Sequence, residues 1–190
     1  MCIFPHYPLF PLIFLKSYHG GEPQPTQIPF IAAGFFFTRS EILKDIPFDP
    51  FLPWTFMGEE ISLSLRAWTH GWNMYAPRKN LIIHQYRPGN LGIPKYWGTV
   101  NGMMKKGFAN NYLQGRIIRR VKNLVGYPGS TKEKIEENGS SIVLTELEHY
   151  GLGSERSWDD YMKFTNITVD EKTDTLVCST MEWCNKGWRD

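Results

Sequence analysis

Between positions 47 and 84 the chain reads Pro47-Phe48-Asp49-Pro50, then Phe56-Met57-Gly58-Glu59-Glu60, then a stretch of helical period closing at Gly71, then Leu81-Ile82-Ile83-His84. Pro47, Pro50 and Pro53 enforce an extended loop, since each fixes its own φ and restricts the residue before it. Gly58 opens a helix. Ile61, Leu65 and Trp68 fall at i, i+4 and i+7 and predict its buried stripe, with Glu59, Ser62 and Arg66 nearer the open side. Gly71 is placed to cap its C-terminus. Tyr75-Ala76-Pro77 and Leu81 to His84 read as short extended pieces. A glycine, two carboxylates at a helix start and a histidine closing a nearby strand form a set that can grip a polyhydroxylated ligand and a divalent metal.

Upstream, residues 1–27 form an irregular lead rich in proline and glycine, with Gly20-Gly21-Glu22-Pro23 marking a loop. Ile28 to Thr38 is a dense apolar run and predicts a buried strand, in which Gly34 allows close approach of backbone or ligand. Ser40 then predicts an N-cap for a short helix to Lys44 or Asp45. Downstream, Tyr96 to Arg120 predicts one or two helices, with Ile117, Ile118 and Val121 apolar and Arg116, Arg119, Arg120 and Lys122 basic. Thr131 to Asn138 is polar and charged, Ser141 to Tyr150 resumes an apolar pattern, and Ser157 predicts the cap of a further helix. From Asp170 no pattern stands out, and residues 169–190 read as a poorly ordered tail.

The chain of 190 residues is long enough for one domain with a real core. A net charge of +2 gives no argument for a nucleic-acid partner. The 15% aromatic share suits either a core of large rings or sugar-stacking surfaces. Cys2, Cys178 and Cys184 make an odd count without metal-ligand spacing, so the redox compartment stays open. Met1 to Leu15 is apolar but broken by Pro5, Pro8 and Pro11, too short to span a bilayer and lacking the basic start of a signal peptide. Sequons stand at Asn138 and Asn166.

In order, the Gly58-Glu59 helix start, Arg66, Trp68, Gly71, His84 and Arg87 resemble the second half of the GT-A catalytic domain of the Skp1-type hydroxyproline N-acetylglucosaminyltransferase family. More loosely they are similar to polypeptide N-acetylgalactosaminyltransferases. The likeness covers Ile28 to Arg87 well and Tyr150 to Phe164 moderately. It implies an α/β fold, a partial GT-A domain over residues 28–168, and transfer of N-acetylglucosamine from UDP-GlcNAc to a protein or peptide hydroxyl with retention. It further implies that Gly58, Glu59 and Glu60 hold the donor sugar, and that His84 is a ligand of a divalent metal, Mn²⁺. Asp49 and Trp54 would serve the acceptor side, and Arg66, Arg87 and Lys79 the nucleotide diphosphate. No residue is assigned as nucleophile.

Each of these residues also has a plainer reading. Glu59 and Glu60 are ordinary first-turn acids, held ionised by the helix dipole. Asp49 caps the turn, Arg66 pairs with Glu59 or Glu60, and Trp54, Phe56 and Trp72 pack under the loop. No Asp-x-Asp or Asp-x-His motif precedes Phe30, so the nucleotide-binding half of the fold is expected to be missing. The alternative is therefore a catalytically inactive remnant that binds carbohydrate or protein. Cytoplasm and Golgi lumen both remain open as its location.

Overall fold

The computed structural model describes residues 24–31, 35–53, 55, 58–77, 81–83, 95–96, 98–99, 111–126, 141–170 and 175–177. In chain order they form β1 (Thr26–Gln27), α1 (Ile42–Asp45), α2 (Glu59–Thr69), β2 (Tyr75–Ala76) and α3 (Asn111–Leu124). A 3₁₀ turn at Ser141–Leu144 follows, then α4 (Leu147–Tyr150), α5 (Trp158–Thr165), β3 (Thr168–Asp170) and β4 (Thr175–Val177). β1 pairs antiparallel with β2, Thr26 opposite Ala76 and Gln27 opposite Tyr75. The β3–β4 ladder, with Val169 opposite Leu176, stands where the sequence pattern was silent.

Helix α2 is the element on which the others converge. It begins as expected at Gly58, whose φ of 93° is left-handed backbone that a side chain would strain. It ends in a Schellman turn: the amide of Trp72 bonds to Ala67 O at 2.9 Å and that of Gly71 to Trp68 O at 3.0 Å. Gly71, at φ 84°, is thus the left-handed residue one step beyond the cap, His70. Ile61, Leu65 and Trp68 are buried as the spacing predicts.

The same helix overturns one expectation. Ser62 and Arg66 are buried, not turned to solvent, along with Ser64 and Thr69. The cause is packing from several directions. Ser64 Oγ accepts from the Ile31 amide at 2.8 Å, tying β1's continuation to α2. Trp68 stacks on Phe164 of α5, centroids 4.6 Å apart and rings within 7° of parallel. Thr69 O accepts from the Glu155 amide at 2.9 Å, and Thr69 Oγ1 from the Gly153 amide at 2.9 Å. Small hydroxyl residues suit such a helix because their spare donors return to the preceding turn, as Thr69 Oγ1 does to Leu65 O at 2.9 Å.

The predicted strand over Ile28–Thr38 is not formed among its described residues. Phe30 and Ile31 enter the core as irregular chain, whereas Phe35, Phe36 and Phe37 are exposed. Pro29 removes the amide that would continue the β1 ladder past Ile28, whose own amide still reaches Met74 O. Leu81 to Ile83 are likewise exposed and outside any strand. The short helix after Ser40 is present, but its N-cap is Glu41 and no side chain caps it. Ser157 does cap α5, its oxygen accepting from the Asp160 amide.

Candidate functional site

The N-terminus of α2 presents Glu59 to solvent, with Glu60 half-buried behind it. Helix dipole alone would favour their ionised forms. Glu59 departs from that expectation: partial desolvation, and then the adjacent Glu60 charge, raise its proton affinity above the ordinary carboxyl value. Tyr96 lies close enough to feel Glu59; its phenol is pushed up by burial first and by that carboxylate second. Nothing in the local pattern around Tyr96 marks it, because it stands 37 positions after Glu59 in the chain.

Asp49, Arg66 and Arg120 form a second, buried group. Asp49 does not stand open to an acceptor cleft. Its Oδ2 meets Arg120 Nε at 2.6 Å, with the two side chains 2% and 1% exposed, and its Oδ1 accepts from the Phe51 amide at 2.9 Å. Arg120 Nη1 donates to Val143 O and Thr145 O, and its guanidinium lies over the Phe51 ring. Arg66 Nη2 donates to Pro47 O at 2.7 Å rather than pairing with Glu59 or Glu60. Burial lowers the proton affinity of Arg66, Asp49 opposes that shift, and Arg120 adds to it. Two buried cations thus share one carboxylate. Arg66 is buried and placed to hold the proline loop against α2.

At the other end of α2, Arg156 Nη2 donates to Gly71 O at 2.9 Å, and its guanidinium sits 4.4 Å over Trp68. This is a cation placed where the helix C-terminus favours one. An open depression of about 360 Å³ adjoins it, lined by Arg39, Asp45, His70, Gly71, Trp72 and Asn73.

Trp54, Phe56, Lys79, His84 and Arg87 lie outside the described residues. Among the described residues no three His, Cys, Asp or Glu side chains come together as a metal site, and no helix is long and apolar enough to cross a membrane.

A family model described as glycosyltransferase (GlcNAc) matches residues 15–171. The chain belongs to that family. No curated protein and no solved structure matches. As a member of the GlcNAc glycosyltransferase family, the protein is a transferase by descent, acting between a sugar donor and an acceptor. The matched span holds α2, the Asp49–Arg120 pair and the Arg156 cap alike.

Proposed function

We propose that this glycosyltransferase moves N-acetylglucosamine from UDP-GlcNAc to a protein hydroxyl with retention, and that the chain is part of a GT-A α/β fold of the Skp1-type hydroxyproline N-acetylglucosaminyltransferases. The bond from the sugar's C1 to the diphosphate breaks, a new bond from C1 to the acceptor oxygen forms on the same face, and the acceptor's proton leaves with the departing phosphate or to solvent. The observation that supports a sugar site is the solvent-facing Glu59 at the left-handed Gly58 start of an otherwise buried helix. A carboxyl held rigidly there accepts hydrogen bonds from sugar hydroxyls when ionised and donates one when protonated.

Glu59, Glu60 and Gly58 are the donor-sugar residues of this reading, with Arg87 toward the nucleotide and Trp54 toward the acceptor. Asp49 and Arg66 act behind them, by setting the proline loop on α2. A bound Mn²⁺ would supply positive charge to the departing diphosphate. His84 is the candidate ligand from this chain, and the described residues add no ligand set.

Calorimetric titration with UDP-GlcNAc, with and without Mn²⁺, tests the proposal. Metal-dependent binding that disappears in His84→Ala and weakens in Glu59→Ala is expected. Absence of binding by a demonstrably folded chain would overturn it, and would favour the inactive remnant.

A further inference from the structure

The depression at the C-terminal end of α2 has a composition suited to a neutral sugar, and it is far from the carboxylates just described. Eleven helical residues separate its floor from Glu59, about 16 Å at 1.5 Å per residue. Asp45, Asn73 and His70 in its lining are each fixed at one atom and open at another. Trp72 Nε1 donates to Asp45 Oδ2 at 3.0 Å, which leaves Asp45 Oδ1 without a partner among the described residues. Gln27 Nε2 donates to Asn73 Oδ1 at 3.2 Å, leaving the two Nδ2 hydrogens of Asn73.

His70 completes the set. Its Nδ1 lies 2.8 Å from Arg66 O, and a carbonyl can only accept, so Nδ1 carries the proton and Nε2 is a bare acceptor in the neutral ring. The ring cannot drift. A Cβ on Gly153 would stand 2.7 Å from His70 Cγ, so the backbone at Gly153 is pressed directly against it. Arg39, exposed, rests 5.2 Å over the Trp72 indole. An exposed guanidinium over the ring shows that this indole face opens to solvent, and such a contact is weak enough at an exposed position to be displaced.

We propose that this depression binds a pyranose ring of a glycan at a site separate from the donor-sugar site. The hydroxyls of a sugar each donate and accept. Asp45 Oδ1 and His70 Nε2 supply acceptors and Asn73 Nδ2 a donor, an alternation that a vicinal diol satisfies and a simple anion or cation does not. The apolar C–H face of the ring takes the place of Arg39 on Trp72, and the displaced guanidinium donates to the ring's outer oxygens. The volume, about 360 Å³, lies within the range of small-ligand sites. The occupant is a glycan residue because the open groups match a polyol and the family handles sugars.

The test uses methyl β-N-acetylglucosaminide and the β-1,4-linked dimer of N-acetylglucosamine, without UDP or metal, so that failure of the donor-site reading leaves it intact. The full chain carries 5-fluorotryptophan, with the Trp72 signal identified from Trp72→Phe. Titration is expected to move that ¹⁹F resonance saturably. Asp45→Ala and Asn73→Ala, both at exposed positions, are each expected to weaken binding by roughly tenfold while circular dichroism stays unchanged. A Trp72 resonance that does not move with either sugar would overturn the proposal. So would saturable binding that is insensitive to both alanine variants.

Discussion

Replacing Asp49 by alanine removes the one carboxylate that Arg66 and Arg120 share. Arg120 stays buried, its Nη1 still held by the carbonyls of Val143 and Thr145, but its Nε loses its acceptor. Arg66 loses the charge that opposes its desolvation. Breaking one side of a buried ion pair costs about 3–5 kcal/mol, because the partner left behind is an uncompensated buried charge. The estimate belongs at the upper end here, since Arg66 Nε and Arg120 Nη2 are already buried without partners among the described residues. Against a typical total of about 5–15 kcal/mol, that loss would lower Tm by roughly 6–20 °C. By contrast, the exposed Lys163–Asp160 pair at 3.9 Å is screened by solvent, and breaking it should leave stability nearly unchanged. Urea unfolding followed by tryptophan fluorescence measures the difference. Asp49→Leu with Arg120→Met, which removes that ion pair and fills the space, should recover the part of the loss carried by Arg120 but not the part carried by Arg66. A cost below about 1 kcal/mol for Asp49→Ala, at unchanged m-value, would refute the charge-sharing argument. If Asp49 instead orients the acceptor, Asp49→Ala would raise the acceptor KM while leaving the unfolding midpoint where it is.

Gly58→Ala forces a side chain into left-handed backbone at φ 93° and should cost about 1–2 kcal/mol by chemical denaturation, whereas Glu60→Ala in the same first turn should cost less. Gly153→Ala sets a Cβ 2.6 Å from Thr69 O, so the 153–156 loop must shift; about 1–3 kcal/mol is expected, with a change in the His70 resonances by NMR. Because the folded chain holds a proton on Glu59 more tightly than the unfolded chain, its contribution to stability is present below the ordinary value of 4.5 and is lost as pH rises through the raised folded value. Glu59→Gln should therefore gain on the parent in Tm as pH rises from about 4.5; parallel Tm curves from pH 4 to 7 would count against the desolvated site. Trp68→Leu removes the ring stacked between Phe164 and Arg156 and should cost about 3 kcal/mol or more, read by thermal unfolding.

What was legible in the sequence was local. Gly58 and Gly71 bracket α2 because only glycine takes those φ values without strain, and Ser157 caps α5 because its hydroxyl reaches an amide three residues on. The apolar stripe of Ile61, Leu65 and Trp68 follows from helical period alone. Arg120 was read from the sequence only as one of four basic residues between Arg116 and Lys122. Its spacing says more: Arg120 stands three residues after Ile117 and four before Leu124, both buried, so it belongs to the apolar face of α3. Its partner Asp49 is 71 residues away, and no local pattern joins them. The run from Phe30 to Phe37 misled in the opposite direction. Aromatic density suggested a strand, but Pro29 stops the ladder and the three phenylalanines turn outward.

Helix α2 would let the two proposed sites coexist on so small a frame. A helix packed on one side only is free to roll or slide by a fraction of a turn; α2 is held by the Pro47 loop through Arg66, by Ile31 through Ser64, by α5 through Trp68, and by the 153–156 loop through Thr69. Each contact is made by a side chain whose movement would leave a buried donor or acceptor unsatisfied or open a void in the ring stack, and both are costly. The interior is therefore locked, and freedom is confined to the termini. At one terminus the lock leaves Glu59 facing solvent, and at the other it leaves the open atoms of His70, Asp45 and Asn73. The separation between the ends is then a property of the helix, about 16 Å, and does not depend on loop conformation. A saccharide resting on Trp72 would be held at a fixed reach from a sugar at Glu59.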